Sequence, residues 1–279
     1  MKVLVIDRDT LSTQLIRSKL ELKGHTVVDE AVKNTALERL EKETFDIVFF
    51  DPAPLNNARP LVLGIRRSVR NYPYVVLMSH DLKREEAIKS GANDVMSKPL
   101  DAATLDLTMT NADRLTALMK RIGDESEDFP SAGGVIAKSA FNQLFLSAID
   151  RADRYAERSF LVFIGIRNYK KVIENYGAYA VEYATAKLSQ YLVRLRRQSD
   201  IIAQTGRSEF CLMLQRPQYD SEPIEAANRF AAALEKLEDI CANDGDVIEV
   251  AVTLVSLPVG QLHAEHIVAY DKKAARSSG

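Results

Sequence analysis

The sequence predicts two domains. The first is an α/β domain with a doubly wound parallel sheet, and the second is an α+β domain with a ferredoxin-like order of elements. Apolar runs alternate with helical spacing through the first half, which is typical of a parallel sheet covered by helices. The second half has the order strand-helix-strand-strand-helix-strand. A segment rich in Gly, Ser, Pro and acids separates them. We therefore expect a first domain at residues 1–121, a linker at 122–133 and a second domain at 134–279.

Continuous apolar runs in the first domain predict strands buried on both faces. These are Val3–Ile6, Asp46–Phe50, Tyr74–Met78 and the shorter Asp94–Met96. Helical spacing covers the segments between them, at Leu11–Leu22, Asn34–Lys42, Pro60–Arg70 and Lys83–Ser90. Residues 101–122 predict a last helix with an apolar stripe. That stripe either packs on the sheet or forms the seam of a homodimer, and the sequence leaves both open.

The second domain is predicted to contain four helices and four strands. The helices are expected at Lys138–Glu157, Ala178–Arg196, Glu222–Leu237 and Ala264–Arg276. The strands are expected at Phe160–Ile166, Ile201–Thr205, Phe210–Leu214 and Val247–Leu257. A short glycine-containing turn between the second and third strands indicates a hairpin.

Composition excludes several classes of function. The 279 residues are 46% apolar and carry a net charge of -2, so no large basic surface for nucleic acid is expected. No apolar run approaches the roughly 18 residues of a membrane-spanning helix. The two cysteines, Cys211 and Cys241, form neither a disulfide framework nor a metal spacing. We expect a cytoplasmic protein.

Four polar residues follow the predicted parallel strands: Asp7, Asp51, Ser79 and Lys98. Because the carboxyl ends of parallel strands share one edge of a sheet, these side chains should converge. Two carboxylates, a hydroxyl and an amine are the chemistry of an aspartyl phosphate. Asp51 would be the nucleophile, Mg²⁺ would be held by carboxylates, and Ser79 and Lys98 would contact the phosphoryl oxygens.

With its Lys98-Pro99 pair, this half resembles a response-regulator receiver domain. The resemblance implies a phosphoacceptor at Asp51, bound Mg²⁺ and a histidine kinase as partner. One departure argues against this chemistry. Receivers usually have a second acid beside the first, whereas this chain has Arg8, which removes a metal ligand and adds repulsion. Arg8 could instead pair with Asp51.

The segment Gly206-Arg207-Ser208-Glu209-Phe210 resembles a damaged signature of the GGDEF family, which condenses two GTP into cyclic di-GMP. Such enzymes use two Mg²⁺ ions. Ser208 stands where the signature has a metal-binding acid, and Arg207 replaces its second glycine. Both acids of the family's D-x-D string are lost, since Gly165 and Arg167 occupy those positions. Ile173 stands where the family has an Asn that binds guanine. The resemblance therefore implies that cyclase activity is absent.

The Arg-x-x-Asp motif at Arg197 and Asp200 keeps the family's offset from the signature, where the product binds as an inhibitor. Arg229 matches a second product-site arginine, and Arg151 or Arg154 matches an arginine that clamps the product from another domain. A guanidinium suits guanine or phosphate, and a carboxylate accepts from guanine N1 and N2.

We expect a non-enzymatic cyclic di-GMP receptor that signals through a downstream protein partner. The alternatives are a ligand-independent scaffold and a cyclase with a rearranged metal site.

Overall fold

The computed structural model describes residues 1–54, 57–68, 72–123, 127–131, 133–155, 157–243, 245–257 and 260–271. The chain divides into two units. The first comprises Met1–Lys120 with Ile149–Glu157, and the second comprises Arg121–Ala148 with Arg158–Gly279. Of the described residues, none lies in a helix that is both long and apolar enough to span a membrane.

Five parallel strands form the sheet of the first unit, in the order β2-β1-β3-β4-β5. They are β1 (Lys2–Ile6), β2 (Thr26–Glu30), β3 (Ile47–Phe50), β4 (Tyr74–Ser79) and β5 (Asp94–Ser97). The helices of this part of the chain are α1 (Thr10–Glu21), α2 (Lys33–Lys42), α3 (Arg59–Ser68), α4 (Arg84–Lys89) and α5 (Ala102–Gly123). The predicted doubly wound fold is confirmed.

The apolar stripe of α5 is covered within the chain. Leu105 and Leu115 are at most 1% exposed, and Met109 and Leu118 are 6% exposed. Burial of these side chains favours the packing alternative, because the stripe leaves little surface for a second copy. A homodimer would need other residues.

The second unit contains an antiparallel sheet in the order β10-β9-β6-β8-β7. Its strands are β6 (Ser159–Ile166), β7 (Ile201–Gly206), β8 (Glu209–Gln215), β9 (Val247–Ser256) and β10 (Gln261–Asp271). The helices after α5 are α6 (Lys138–Tyr155), α7 (Tyr169–Tyr176), α8 (Ala178–Leu195) and α9 (Glu222–Leu234). The strands β9, β6, β8 and β7 have the ferredoxin-like order, and β10 extends it by one strand.

The prediction of a helix at Ala264–Arg276 is wrong. Gln261–Asp271 is β10, which pairs with β9 along its length, and residues 272–279 lie outside the described part. Ala264, Glu265 and Ala269 within the strand favour a helix locally. Pairing with the edge of β9 outweighs that preference, because strand formation depends on tertiary context.

Candidate functional site

Three charged side chains meet at the carboxyl edge of the parallel sheet, as predicted. Lys98 Nζ lies 2.8 Å from Asp7 Oδ2 and also donates to Asp51 Oδ2. The side chains of Lys98 and Asp7 are only 4% and 2% exposed. Burial lowers the pKa of Lys98, but its interactions with the Asp51 and Asp7 carboxylates outweigh this effect, so the pKa is raised. The lysine therefore remains a cation that neutralises the pocket.

Arg8 and Ser79 do not join this triad in the described residues. Arg8 is exposed at the rim of a cavity of about 460 Å³ that Asp7, Asp51 and Lys98 also line. The partner of Asp51 is Lys98, so the interpretation that Arg8 pairs with Asp51 is wrong. Ser79 Oγ accepts hydrogen bonds from the backbone N–H groups of Asp81 and Leu82, each at 3.3 Å.

The receiver pocket does not fit Mg²⁺. The carboxylates of Asp7 and Asp51 are held by Lys98, the Asp9 carboxylate accepts from Leu11 and Ser12, and the next residue after Asp7 is an arginine. The backbone carbonyl of Ala53, which receivers would offer to the metal, accepts a hydrogen bond from Lys33 Nζ at 2.5 Å. In the described part of the chain, no group of three His, Cys, Asp or Glu residues could hold a metal ion.

In the second unit, the signature residues form the turn between β7 and β8, and two of them make ion pairs. Glu209 accepts from Arg121 and, at 2.8 Å, from the Thr205 hydroxyl. Arg207 donates to Glu127 from Nε at 2.8 Å. The neighbouring cavity of about 750 Å³ is lined by both pairs, with Gly206 and Ser208, while Phe210 is buried. Arg121 also stacks on Phe163, with its guanidinium 3.6 Å from the ring centre. Arg121 was not predicted to be part of this site.

Gly165, where the family has a metal-binding acid, has no room for a side chain. A Cβ atom there would lie 2.9 Å from the Ser208 carbonyl oxygen and 3.1 Å from Glu209 Cα. Both contacts are with backbone, which cannot move aside as a flexible side chain could. The pairing of Gly165 with Glu209 between β6 and β8 imposes this approach.

The Arg-x-x-Asp motif forms a closed turn after α8. The Asp200 carboxylate accepts from the backbone N–H of Arg197 at 2.9 Å, and the Asp200 N–H donates to the Arg197 carbonyl at 3.0 Å. Asp200 is 8% exposed. The Arg197 side chain is 56% exposed and donates to Glu222 Oε1 at 2.9 Å. The motif thus has a structural role, and its role in ligand binding stays a prediction.

Arg197, Asp200 and Arg229 line one cavity of about 270 Å³ in the second unit. Two more charged residues, Arg216 and Glu222, line it as well and were not predicted. Arg216 lies just beyond β8 with a φ of 51°, and the end of a strand near the motif is the signal that could have found it. The volume is below the usual range of about 300–1,000 Å³ for small-molecule sites, so the cavity suits part of a larger ligand.

The predicted clamp arginines lie on α6. Arg151, which belongs to the first unit, donates from Nε to Glu157 at 3.1 Å. The side chain of Arg154 lies outside the described residues. The role of either residue as a clamp stays a prediction.

Comparison with known proteins gives the family. The model of the diguanylate cyclase GGDEF domain matches residues 131–274. The curated transcriptional regulatory protein CpxR homolog of Haemophilus influenzae is 30% identical over 132 residues, 46% of this chain and 54% of that protein. The chain thus spans about half the length of that curated relative.

Two similar solved structures are a two-component response regulator from Clostridium difficile and the chemotaxis protein CheY4 of Vibrio cholerae. Each is 23% identical; they cover 41% and 40% of this chain and 96% and 97% of their own, with TM-scores of 0.37 and 0.36. The topology of the first unit is itself that of a receiver. Since the family model covers half of the chain, the protein belongs to the GGDEF family, with a receiver-type domain ahead of its GGDEF domain.

Proposed function

We propose that the protein is a non-enzymatic receptor for cyclic di-GMP, which binds at Arg197, Asp200 and Arg229. Arg197 and Arg229 are 32 positions apart in the sequence, yet both line one cavity together with Asp200. This observation carries the proposal. A receiver-type domain joined to a GGDEF domain supports a role in cyclic di-GMP signalling. The ligand is a dianion with two guanines, and the cavity offers cations together with a carboxylate.

The chemistry of the cavity fits one end of such a ligand. Guanidinium groups of Arg197 and Arg229 can fork onto guanine O6 and N7 or onto phosphate oxygens. Asp200 can accept from guanine N1 and N2 with the oxygen that its own turn does not use. Arg216 adds a third guanidinium to the lining. Because the volume is small, the remainder of the ligand would lie outside the cavity.

Two positions support the absence of cyclase activity. Phosphoryl transfer from GTP needs carboxylates that hold Mg²⁺ beside the triphosphate. Gly165 and Ser208 stand at two of the acidic positions of the family, and the backbone leaves no space for an acid at Gly165. Incubation with GTP and Mg²⁺ or Mn²⁺, followed by chromatography, tests this part, and any cyclic di-GMP formed would contradict it.

Signalling requires the ligand to prefer one arrangement of the protein over another. Ligand bound at Arg197, Asp200 and Arg229 would give that preference by binding one arrangement more tightly. The arrangement stabilised in this way would recruit a downstream protein partner, and a homodimer is part of the proposal. The partner's identity would follow from capture with and without cyclic di-GMP.

Calorimetric titration with cyclic di-GMP tests the proposal directly. We expect binding at micromolar concentration or tighter for the wild-type protein and its loss in Arg197→Ala. Arg194→Ala is the matched control, because Arg194 is an exposed arginine one turn away on α8 that does not line the cavity. Equal loss in both variants, or unchanged affinity in Arg197→Ala, would contradict a specific site.

A second candidate is a ligand-independent scaffold. The observation that favours it is that the motif is already satisfied within the chain: Asp200 closes its own turn and Arg197 pairs with Glu222. In that case titration gives no heat, cyclic di-GMP gives no thermal shift, and a stable protein partner is captured without nucleotide.

A further inference from the structure

Lys33 makes an unusual contact across the receiver pocket. It is the first residue of α2, yet its ammonium reaches two backbone carbonyls about twenty positions further along the chain. Lys33 Nζ donates to the Pro52 oxygen at 2.6 Å and to the Ala53 oxygen at 2.5 Å. It also lies 5.4 Å from the centre of the Phe50 ring. These contacts tie α2 to the segment that follows β3.

The position of Lys33 is unfavourable for a cation on local grounds. The N-terminus of a helix carries partial positive charge, and basic residues are favoured at the opposite end. The first turn of α2 has no acidic residue, and its N-cap, Val32, makes no side-chain hydrogen bond. The hydrogen bonds of the Lys33 ammonium to the Pro52 and Ala53 carbonyls therefore stabilise it, whereas its position in the helix does not.

The groups around Lys33 are those that would surround a divalent cation. Ala53 presents a carbonyl oxygen, and Asp51 and Asp7 present carboxylates in the same cavity. The pKa of Lys33 is lowered, first by burial and then by Arg8, while Asp51 and Asp7 oppose this shift, so the ammonium lies within the field of these groups. Three cations, Lys33, Lys98 and Arg8, thus balance the three carboxylates of the cavity, and the third carboxylate, Asp9, already accepts from Leu11 and Ser12 at the start of α1. An added Mg²⁺ would meet carboxylates that are already neutralised and a carbonyl that is already occupied.

We propose that Lys33 is a tethered cation that takes the place of the divalent metal, so that the receiver pocket is complete without Mg²⁺. Lys33 holds the carbonyl oxygens, Lys98 neutralises the carboxylates, and Arg8 repels a second cation. This inference concerns the first unit alone and is independent of whether cyclic di-GMP binds to the second.

Metal binding to the full-length protein tests the proposal. Mn²⁺, which accepts the oxygen ligands that Mg²⁺ prefers, is titrated while the electron paramagnetic resonance signal of the free ion is followed. The wild-type protein should bind no more Mn²⁺ than its Asp51→Asn variant. The variant Arg8→Asp/Lys33→Met places a second acid beside Asp7 and frees the carbonyls of Pro52 and Ala53. It should gain one Mn²⁺ site, and adding Asp51→Asn should abolish that site. Binding to the wild type that depends on Asp51 would overturn the proposal, as would failure of the double variant to bind.

Thermal unfolding gives a second readout that does not depend on the double variant. Lys33→Met should lower the melting temperature, and Lys42→Met at the other end of α2 is the control, since Lys42 is exposed. For a site with a Kd of about 1 mM, about 10 mM Mg²⁺ would raise the melting temperature by roughly 3 °C or more. We expect no such rise in the wild type relative to NaCl of equal ionic strength. Equal melting temperatures for the two lysine variants would contradict a role for the Lys33 ammonium.

Discussion

Glu222 holds Arg197 within the candidate ligand site: its Oε1 accepts from the Arg197 guanidinium at 2.9 Å. The other oxygen, Oε2, accepts from the backbone N–H of Gln218 at 2.6 Å. These two hydrogen bonds hold the pKa of Glu222 below its ordinary value, and the bond from Gln218 has the larger effect. The carboxylate is therefore fixed at the start of α9 and remains charged at neutral pH, so a ligand must displace it from the arginine.

Glu222→Gln should consequently raise the affinity for cyclic di-GMP. The amide keeps an acceptor for Gln218 but loses the charge that competes for Arg197, which is worth roughly a 2- to 5-fold change for an exposed pair. Calorimetry measures it. Glu225→Gln is the control, because Glu225 bonds Tyr219 and Ser221 and does not line the cavity. Weaker binding in Glu222→Gln would show that the acid contacts the ligand itself.

Asp200→Asn should separate the structural role of Asp200 from its ligand role. An asparagine oxygen can still accept from the Arg197 N–H, so stability should change by less than about 1 kcal/mol. The substitution removes the charge that we propose accepts from guanine N1 and N2, so we expect at least a tenfold weaker affinity. Asp200→Ala should lose stability as well, by roughly 1–2 kcal/mol, because the buried turn loses its acceptor. Normal affinity in a folded Asp200→Asn would remove Asp200 from the ligand site.

The sequence predicted those parts of the site that follow from strand order. Asp7, Asp51 and Lys98 were brought together correctly, because the carboxyl ends of parallel strands meet at one edge. The contact of Lys33 with Ala53 could not be predicted, because it joins the start of a helix to a loop twenty positions away. The same limit applies to Glu222 and Arg197, which lie 25 positions apart.

Two errors in the fold occur at edge strands, and a third is the short helix α7, which was not predicted. β2 (Thr26–Glu30) was not located, since its Thr, Asp and Glu residues break the continuous apolar run that marked the central strands. For β10 the sequence predicts a helix instead of a strand. Both strands lie at the edge of a sheet, where one side faces no partner strand and the apolar pattern is weak.

Gly165→Asp should destabilise the protein instead of restoring a metal ligand. Its Cβ would meet backbone atoms of Ser208 and Glu209, and overpacking of this kind costs roughly 1–3 kcal/mol. Gly206→Ala is the matched control in the same hairpin, because a Cβ there would lie at an ordinary 3.5 Å from Glu209 Cβ. Denaturant unfolding measures both. A stable Gly165→Asp/Ser208→Asp variant that makes cyclic di-GMP would show that the scaffold still accepts metal.

The two ion pairs of the signature turn should differ in strength. Arg121 and Glu209 are 41% and 25% exposed, the guanidinium stacks on Phe163, and the carboxylate is held by Thr205. A double-mutant cycle with Arg121→Ala and Glu209→Gln should give a coupling of about 1 kcal/mol, allowing for partial solvent screening.

Arg207 and Glu127 are 74% and 42% exposed and have a lower expected coupling. The cycle with Arg207→Ala and Glu127→Gln should give a smaller coupling than the Arg121–Glu209 cycle, and about 0.5 M NaCl should reduce it further. Comparable couplings in the two cycles would mean that exposure does not set the strength of these pairs. A coupling of the expected size between Arg121 and Glu209 would show that the retained signature acid stabilises the fold of the second unit.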